Sequence, residues 1–224
     1  MVTTDRAWWY RLLQSVVRGV LRLLCRFEVR GIEHVPTQGP FLLVSNHLHS
    51  LDIPVIGATL PHRSVAFAAR KWEHIPVAGW LLRTLGDAIF VYRGEVDRHA
   101  LRQALAVLEN GGILTVAPEG TRSDTGALQE GKEGIAYLAL RAKVALVPVV
   151  SYGQEKVFSS LRRGRRASVH VAYGPPFTLP VASGRTNRAW LEESTEHIML
   201  RLAAMLPAEY RGVYAELHRE EPAI

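Results

Sequence analysis

The sequence has one cysteine in 224 residues and no apolar run long enough to cross a bilayer. A single cysteine, Cys25, cannot close an internal disulfide, so nothing in the sequence calls for an oxidising compartment. The N-terminal segment is rich in Trp, Leu and Val, but arginines interrupt it well before the roughly 20 apolar residues of a membrane span. Because it also lacks an apolar core followed by a small-residue cleavage site, we expect neither a span nor a signal peptide there.

Two catalytic signatures are missing as well. There is no Gly-x-Ser-x-Gly sequence to present a nucleophilic serine, and Cys25 falls in the predicted N-terminal helix. His47, His49 and Asp52 resemble part of a metal site, but their spacing differs from that of binuclear metallohydrolases, and the other histidines are scattered. We therefore expect no metal and no nucleophilic side chain, so that the attacking group comes from the substrate.

Positive charge is what the sequence has in excess. Its 27 Lys and Arg against 21 Asp and Glu give a net charge of +6, with a pI near 9.8. This balance indicates an acidic partner: anionic lipid, nucleic acid, an acidic carrier protein or a phosphorylated small molecule. The four arginines within 162–166 suggest a nucleic-acid-binding module as one alternative. Since no aromatic residues interleave with them, we favour anionic lipid headgroups and expect no nucleic-acid partner.

Residues 1–26 are predicted to form an amphipathic helix ahead of one domain at 27–224. At about 100° per residue, apolar and basic side chains gather on opposite sides. The apolar side comprises Trp9, Leu13, Val16, Val20, Leu23, Leu24 and Phe27, and the polar side Arg11, Ser15, Arg18, Arg22 and Arg26. This pattern is typical of a helix lying in the membrane interface. The alternative is a helix whose apolar side packs on its own domain.

Beyond this helix, short apolar runs alternate with helical patterns. Strands are predicted at 27–30, 41–44, 65–68, 88–91, 113–117, 145–150 and 168–172, and helices at 51–59, 77–85, 98–109, 134–142 and 187–205. The alternation predicts an α/β fold with a mostly parallel sheet and helices on both faces. Ligands of such sheets bind outside the carboxyl ends of the strands.

Four segments bring distinctive residues to that rim of the predicted sheet. Three follow strands, and these are Asn46-His47, Arg93 and 118–123. The fourth is Val147-Pro148-Val149, where a proline inside an apolar run indicates an irregular or edge position. Because the four would share one rim, they indicate a single site.

His47 is the natural general base of this site near neutral pH. A carboxylate that fixes the tautomer of the ring and stabilises the imidazolium improves such a base, and Asp52 can do so. Five residues apart, the two would lie about 140° apart on a regular helix. They can meet only if His47 lies in a loop and Asp52 in the first turn beyond it. By itself the spacing also fits a surface histidine near a helix-capping aspartate.

The second group of residues suits an anion. Arg93 and Arg122 can donate in pairs to a phosphate, Gly120 lets the backbone approach a ligand, and Thr121 adds a hydroxyl. Glu119 is unexpected beside an anion, and we interpret it as orienting the loop or an arginine, or as accepting from a ligand hydroxyl. The alternative for this segment is a polar turn.

Taken in order, these segments resemble the four blocks of the glycerolipid acyltransferases, and most closely those of the lysophosphatidic acid acyltransferases. The blocks are Asn46-His47 with Asp52, Arg93, Pro118-Glu119-Gly120-Thr121-Arg122-Ser123 and Val147-Pro148-Val149. The resemblance runs from about residue 27 to about residue 177. It implies that His47, oriented by Asp52, deprotonates the free hydroxyl of lysophosphatidic acid. That hydroxyl would attack the thioester of acyl-CoA or of an acyl-carrier protein, giving phosphatidic acid for phospholipid biosynthesis.

The resemblance also implies roles for the remaining residues. Acceptor or phosphate contacts fall to Asn46, Arg93, Glu119, Gly120, Thr121, Arg122 and Lys132, and a pocket for the acyl chain to Val147, Pro148 and Val149. It implies no metal or redox cofactor, and a peripheral or monotopic enzyme at the cytoplasmic face of a membrane with anionic lipid. Its partners would be a lysophospholipid and, where it carries the acyl group, an acyl-carrier protein.

There are two departures from the family pattern, and the second leaves the acceptor open. His49 stands where the family often has serine, and Lys132-Glu133 replaces a lysine-rich step. The alternatives are the same chemistry on glycerol-3-phosphate or a different lysophospholipid and, from another class, a non-catalytic basic module that binds membranes or nucleic acid.

Overall fold

The computed structural model describes residues 7–76, 79–80, 82–83, 88–91, 97–180 and 187–216. One sheet contains the strands β1 (Cys25–Arg30), β2 (Phe41–Ser45), β3 (Val65–Ala69), β4 (Ile89–Val91), β5 (Ile113–Val116), β6 (Ala145–Tyr152) and β7 (Ala167–Tyr173). The helices are α1 (Ala7–Leu24), α2 (Asp52–Thr59), α3 (Arg98–Glu109), α4 (Gly134–Ala142), α5 (Val157–Leu161) and α6 (Arg188–Met205). All the predicted strands are confirmed, whereas the helix predicted at 77–85 falls largely outside the described residues.

The strands lie in the order β1-β7-β6-β2-β5-β3-β4. Neighbours from β6 to β4 pair in parallel, as do β1 and β7, but β6 and β7 are antiparallel. The mostly parallel sheet is therefore confirmed, with β1 and β7 running opposite to the other five strands. Residues 153–166, which join β6 to β7, are numerous enough for a parallel crossover, so the sequence did not reveal the reversal.

Helices cover the sheet on both faces, as predicted. Leu42 and Val44 of β2 join an apolar cluster with α3, α4 and α6, whereas Phe41 and Leu43 join a second cluster with α1, α2 and α5. Successive side chains of a strand point to opposite faces, so a strand covered on both sides needs the continuous apolar run at 41–44. Each such side chain stabilises the fold by about 1.5–3 kcal/mol through burial.

Pro148 lies inside β6 between β2 and β7, so of the two predicted alternatives, an irregular or an edge position, the edge position is wrong. It pairs with Val44 on one side, and on the other its carbonyl accepts a hydrogen bond of 2.8 Å from the N–H of Gly174. The antiparallel ladder with β7 begins at Val149, opposite Tyr173. The proline therefore precedes that ladder by one residue, where its missing N–H removes no ladder bond.

One side of α1 packs on the domain, as the alternative to membrane docking required. Leu21 is buried, and the amide of Gln14 donates to the carbonyls of Gly57 and Leu60, each at 2.7 Å. Arg18, predicted to face away with the other polar residues, donates to the carbonyl of Ala58 at 2.7 Å. The helix is therefore tied to α2 by both apolar contacts and hydrogen bonds.

A second side of α1 is apolar and exposed, and it comprises Trp8, Leu12, Val16, Val20 and Leu23. At 100° per residue this stripe, the domain-facing stripe and the arginines lie about 120° apart. The predicted two-sided helix is thus corrected to a three-sided one. The side chain of Trp9 lies outside the described residues, and Phe27 belongs to β1. Across the described ranges, no helix combines the length and apolarity that crossing a membrane requires.

Candidate active site

Three loops meet where the parallel strands β2, β5 and β6 end. These strands are neighbours in the order β6-β2-β5, so their carboxyl ends share one rim of the sheet. β2 leads into Asn46 and His47, β5 into the loop 117–123, and β6 into Gly153 and Gln154. The structure therefore brings together two of the four predicted segments at this rim, while Arg93 lies outside the described residues.

His47 and Asp52 form a hydrogen-bonded pair. Nδ1 of His47 lies 3.0 Å from Oδ2 of Asp52, and the same oxygen accepts from the N–H of His49 at 2.9 Å. The N–H of Asp52 donates in turn to the carbonyl of His49 at 3.2 Å. These bonds fold residues 47–52 into a tight turn, with His47 in the loop and Asp52 as the first residue of α2. The geometric condition set by the spacing is met.

This geometry leaves one ring nitrogen of His47 for chemistry. Asp52 engages Nδ1, so Nε2 is the atom that can take a proton from a substrate. The side chain of His47 is 18% exposed and lines a cavity, whereas that of Asp52 is almost fully buried. A buried carboxylate beside the ring stabilises the imidazolium that forms on proton transfer. The pair can therefore act as an oriented general base.

The loop after β5 holds the backbone of His47 on both sides. Oε1 of Glu119 accepts from the N–H of His47 at 2.7 Å, and the N–H of Ser123 donates to the carbonyl of His47 at 2.8 Å. Ser123 is itself fixed, because its hydroxyl donates to the carbonyl of Ala127 at 2.6 Å. His47 thus sits in a backbone clamp made by a segment more than 70 residues away in sequence.

Glu119 is buried within this clamp, 1% exposed. Its second oxygen accepts from the N–H of Gln129 at 3.1 Å. Burial raises the pKa of Glu119 to about 7, because the charged carboxylate is poorly solvated there, while the N–H donors of His47 and Gln129 oppose the rise. Of its predicted roles, orientation of the loop fits this geometry. A direct substrate contact does not, because both oxygens are buried and bonded.

Asn46 ties the same loop to β6. Its side-chain amide donates to the carbonyl of Ser151 at 2.8 Å and accepts from the N–H of Ser151 at 2.8 Å. This pair of bonds imitates one more step of strand pairing beyond the end of β2. Asn46 is completely buried and its amide holds the loop against β6, but it also belongs to the cavity wall, so its substrate contact stays a prediction.

Two exposed cations stand beside the clamp. Gly120 has a φ of 67°, which glycine adopts without strain, and a Cβ at that position would lie 3.1 Å from Cδ of Lys132. Lys132 therefore passes directly over Gly120, and its N–H donates to the carbonyl of Pro118 at 2.9 Å. Arg122 lines the cavity, and Thr121 lies half-buried between Gly120 and Arg122. Lys132 and Arg122 can both donate to an anionic group.

A cavity of about 420 Å³ opens beside His47 on the α1 and α2 side of the sheet. Its size is that of a pocket for a small or chain-like ligand. Apolar side chains form most of its wall, among them Val17, Ile53, Ile56, Ala58, Ala66, Phe67, Ala68 and Trp72. His47, Asp52 and Arg122 supply polar groups to the same wall. His47 therefore borders a space suited to an apolar chain.

The predicted pocket residues Val147, Pro148 and Val149 are not among the described residues that line this cavity. They are buried in β6 and pair with residues 43–45 of β2. Their visible contribution is packing, since they support the strand that carries the His47 loop. His49 likewise binds within the turn, where its Nδ1 accepts from the N–H of Leu51 at 3.3 Å. Within the described ranges, no three His, Cys, Asp or Glu side chains cluster as metal ligands would.

Sequence reasoning missed Gln154. It is completely buried, and its amide nitrogen lies 2.5 Å from Oδ1 of Asp52. The two residues are 102 positions apart, so no local spacing connects them. The available signal was a polar residue just beyond the carboxyl end of a buried strand, the position that marked His47.

Comparison with known proteins shows which family the sequence matches. Residues 26–152 match the family model described as Acyltransferase. The chain is 34% identical over 214 residues to the lyso-ornithine lipid O-acyltransferase of Pseudomonas aeruginosa, covering 86% of this chain and 79% of that protein. It is 35% identical over 198 residues to 1-acyl-sn-glycerol-3-phosphate acyltransferase alpha of Homo sapiens, covering 84% of this chain and 67% of that protein.

The fold has a counterpart among solved structures. The crystal structure of the 1-acyl-sn-glycerophosphate acyltransferase PlsC from Thermotoga maritima superposes with a TM-score of 0.65 at 23% identity. The match covers 100% of this chain and 86% of that one. The α/β fold with its seven-stranded sheet is therefore shared with that protein.

Proposed function

Because the chain belongs to the Acyltransferase family, we propose that it transfers a fatty acyl group from an acyl thioester to the free hydroxyl of lysophosphatidic acid, giving phosphatidic acid. The observation that carries this proposal is the hydrogen-bonded pair of His47 and Asp52 at the wall of an apolar cavity. A substrate of this kind combines a hydroxyl for the base, an apolar chain for the cavity and a phosphate for the exposed cations.

In the proposed reaction, Nε2 of His47 removes the hydroxyl proton while the oxygen attacks the carbonyl carbon of the thioester. The C–S bond then breaks, and the departing sulfur takes the proton back from His47. Asp52 stabilises the transient imidazolium through its bond to Nδ1. The base is regenerated without a covalent enzyme intermediate or a cofactor, and acyl-CoA and acyl-carrier protein present the same thioester.

Arg122 and Lys132 are the groups we assign to the acceptor phosphate. Both are exposed cations in or against the loop that clamps His47, and their donors suit phosphate oxygens. Gly120 and Thr121 lie in the same loop and offer close approach and a hydroxyl. We assign the acyl chain to the cavity rather than to the residues 147–149.

A second acceptor is favoured by one relative. The protein from Pseudomonas aeruginosa is named for a lyso-ornithine lipid, whose headgroup is an amino acid rather than a phosphate. The chemistry of His47 would be unchanged, because the attacking group is again a hydroxyl. Only the contacts of the headgroup with cations such as Arg122 would differ, so acceptor choice is a question of headgroup binding.

We also propose that the exposed stripe of α1 docks peripherally on a membrane with anionic lipid. Arg166 donates to the carbonyls of Arg22 and Cys25, which places the basic loop 162–166 at the C-terminal end of α1. Apolar and basic groups side by side favour an anionic interface. α1 also lines the cavity through Val17, so lipid could pass from the membrane to the site. At the cytoplasmic face such a surface would meet both the lipid and a soluble thioester donor.

The test is a mass-spectrometric assay of the wild-type protein with each acceptor, lysophosphatidic acid and lyso-ornithine lipid, against acyl-CoA and acyl-carrier protein. We expect His47→Ala to lower turnover by roughly 10²- to 10⁴-fold, the usual contribution of a general base. His99→Ala, an exposed histidine on the opposite side of the sheet, is the matched control and should retain turnover. Unchanged turnover in His47→Ala would sink the mechanism, and acylation of lyso-ornithine lipid alone would overturn the acceptor.

A further inference from the structure

Gln154 lies in the short turn Gln154–Lys156 that follows β6, outside the region matched by the family model. Gly153 precedes it with a φ of 91°, and this left-handed residue turns the chain back towards the site. The amide nitrogen of Gln154 lies 2.5 Å from Oδ1 of Asp52 and 3.2 Å from both oxygens of Ser151. Because an ionised carboxylate only accepts, the nitrogen is the amide atom that must face Asp52.

The amide oxygen of Gln154 indicates the role of the contact between its amide nitrogen and Asp52. Oε1 of Gln154 is buried and has no hydrogen-bond partner among the described residues. A buried unpaired acceptor is unfavourable, and most buried polar atoms in proteins are paired. An apolar side chain of similar size would avoid that cost and would serve simple packing better. The arrangement makes sense if the donor of Gln154 is needed by Asp52.

Gln154 completes the set of donors around Asp52. Oδ2 accepts from Nδ1 of His47 and from the N–H of His49, whereas Oδ1 accepts from Gln154. Without Gln154, one oxygen of a carboxylate that is only 2% exposed would lose this donor, and the carboxylate could rotate about its side-chain bonds. The ring of His47 would then lose a fixed acceptor on Nδ1. Its tautomer and orientation depend on that acceptor.

We propose that Gln154 is a positioning residue for the general base, acting through Asp52 to fix the tautomer and orientation of His47. The inference rests on the proposed acyl transfer and adds a third member to its machinery. Gln154 is not among the described residues that line the cavity we assign to substrate, and it meets the site only through Asp52. Its loss should therefore lower kcat and leave the KM of both substrates nearly unchanged.

Two substitutions separate positioning from packing. Gln154→Leu keeps the volume and removes the donor, and we expect kcat to fall roughly 10- to 100-fold, as for loss of one hydrogen bond to a charged group. Gln154→Glu keeps the shape and makes the donor depend on pH. When protonated, its O–H can donate to Oδ1 of Asp52, but once ionised it repels that carboxylate. Its activity relative to wild type should therefore fall at least tenfold as the pH rises from about 6 to about 9.

The charged groups around Gln154 support this assignment of the pH effect. Asp52 faces it from α2, with His47 beyond. Glu155 and Lys156 of its own turn bind Tyr210 instead, at 2.6 Å and 3.0 Å respectively. Glu155→Gln is therefore the matched control, since it changes a carboxyl in the same turn without touching Asp52. Its pH profile should be parallel to that of the wild type.

The experiment measures kcat and KM of the full chain over this pH range, with urea unfolding to confirm that each variant is folded. If Gln154→Leu does not fold, the isosteric Gln154→Glu still tests the positioning role through its own pH dependence. A Gln154→Glu profile parallel to wild type, or wild-type kcat in Gln154→Leu, would overturn the positioning role. Inactive wild-type protein, or active His47→Ala, would instead overturn the proposed function.

Discussion

Replacing Glu119 with glutamine should flatten the pH dependence of the stability of this protein between pH 4.5 and about pH 7. In the folded protein, burial raises the pKa of Glu119 from 4.5 to about 7, and two backbone N–H donors only partly offset the rise. In the unfolded chain the carboxyl is solvated and titrates near its ordinary value. Glutamine has nearly the same shape and cannot ionise, so it removes this difference between the two states.

The sign follows from which state holds the proton. Between the two pKa values the folded protein keeps the proton of Glu119 while the unfolded chain has released it, so stability falls as the pH rises. The contribution of the protonated Glu119 to the free energy of unfolding is fully present below pH 4.5 and is lost as the pH passes about 7. The interval of about 2.5 pH units, at about 1.4 kcal/mol each, corresponds to about 3–4 kcal/mol of unfolding free energy. In Glu119→Gln this loss should be absent.

The assay is urea unfolding of both proteins in mild detergent, followed by tryptophan fluorescence from pH 4.5 to pH 8. Taking the difference between wild type and variant cancels the titration of distant groups. Glutamine also places its NH₂ group opposite one of the two backbone N–H donors. Because that group cannot accept a hydrogen bond, the free energy of unfolding falls by about 1–3 kcal/mol at every pH. The test is therefore whether the difference in unfolding free energy between wild type and variant changes with pH. Equal slopes in both proteins would refute the reasoning, and the exposed Glu109→Gln should give such equal slopes.

Two further predictions concern the lipid-facing parts of the molecule. Val16→Asp with Val20→Asp should abolish co-sedimentation with anionic vesicles while leaving the fold intact, because both side chains are exposed on α1. Ala106→Asp on α3 is the control, and unchanged vesicle binding of the double variant would point to another surface. Gly57→Leu should shorten the longest acyl chain transferred, because Gly57 lines the cavity and a Cβ there meets nothing within 4 Å. Mass spectrometry of the products checks this, with Ala106→Leu as the control, and an unaltered chain-length profile would show that the acyl chain lies elsewhere.

The features that the sequence predicted depend on short-range patterns. The apolar run at 41–44 needs burial on both faces, and the spacing of His47 and Asp52 allows only one way for them to meet. The spacing alone did not require them to meet, but it determined the turn that they must form if they do. The rim was likewise predictable, since parallel strands bring their carboxyl ends together.

The features that escaped prediction depend on partners far along the chain. The amide of Asn46 could equally have faced a substrate, and only the nearby Ser151, 105 residues on, shows that it bonds the backbone of β6. For Pro148 the sequence left an irregular and an edge position open, because the neighbours of the proline do not show where β7 lies relative to β6. The stripes of α1 were misassigned because its contacts with α2 determine which side is buried.

The order of strands explains why segments so far apart in sequence build one base. β2, which carries His47, lies between β5 and β6, so its loop can be held from both sides. From β5, Glu119 and Ser123 bind the backbone of His47, and from β6 the residues Ser151 and Gln154 hold Asn46 and Asp52. A general base must stay within a fraction of an ångström of its working geometry, and a loop tied at one point would not ensure this. In the proposed mechanism, the central position of β2 is therefore as necessary as the imidazole that its loop presents.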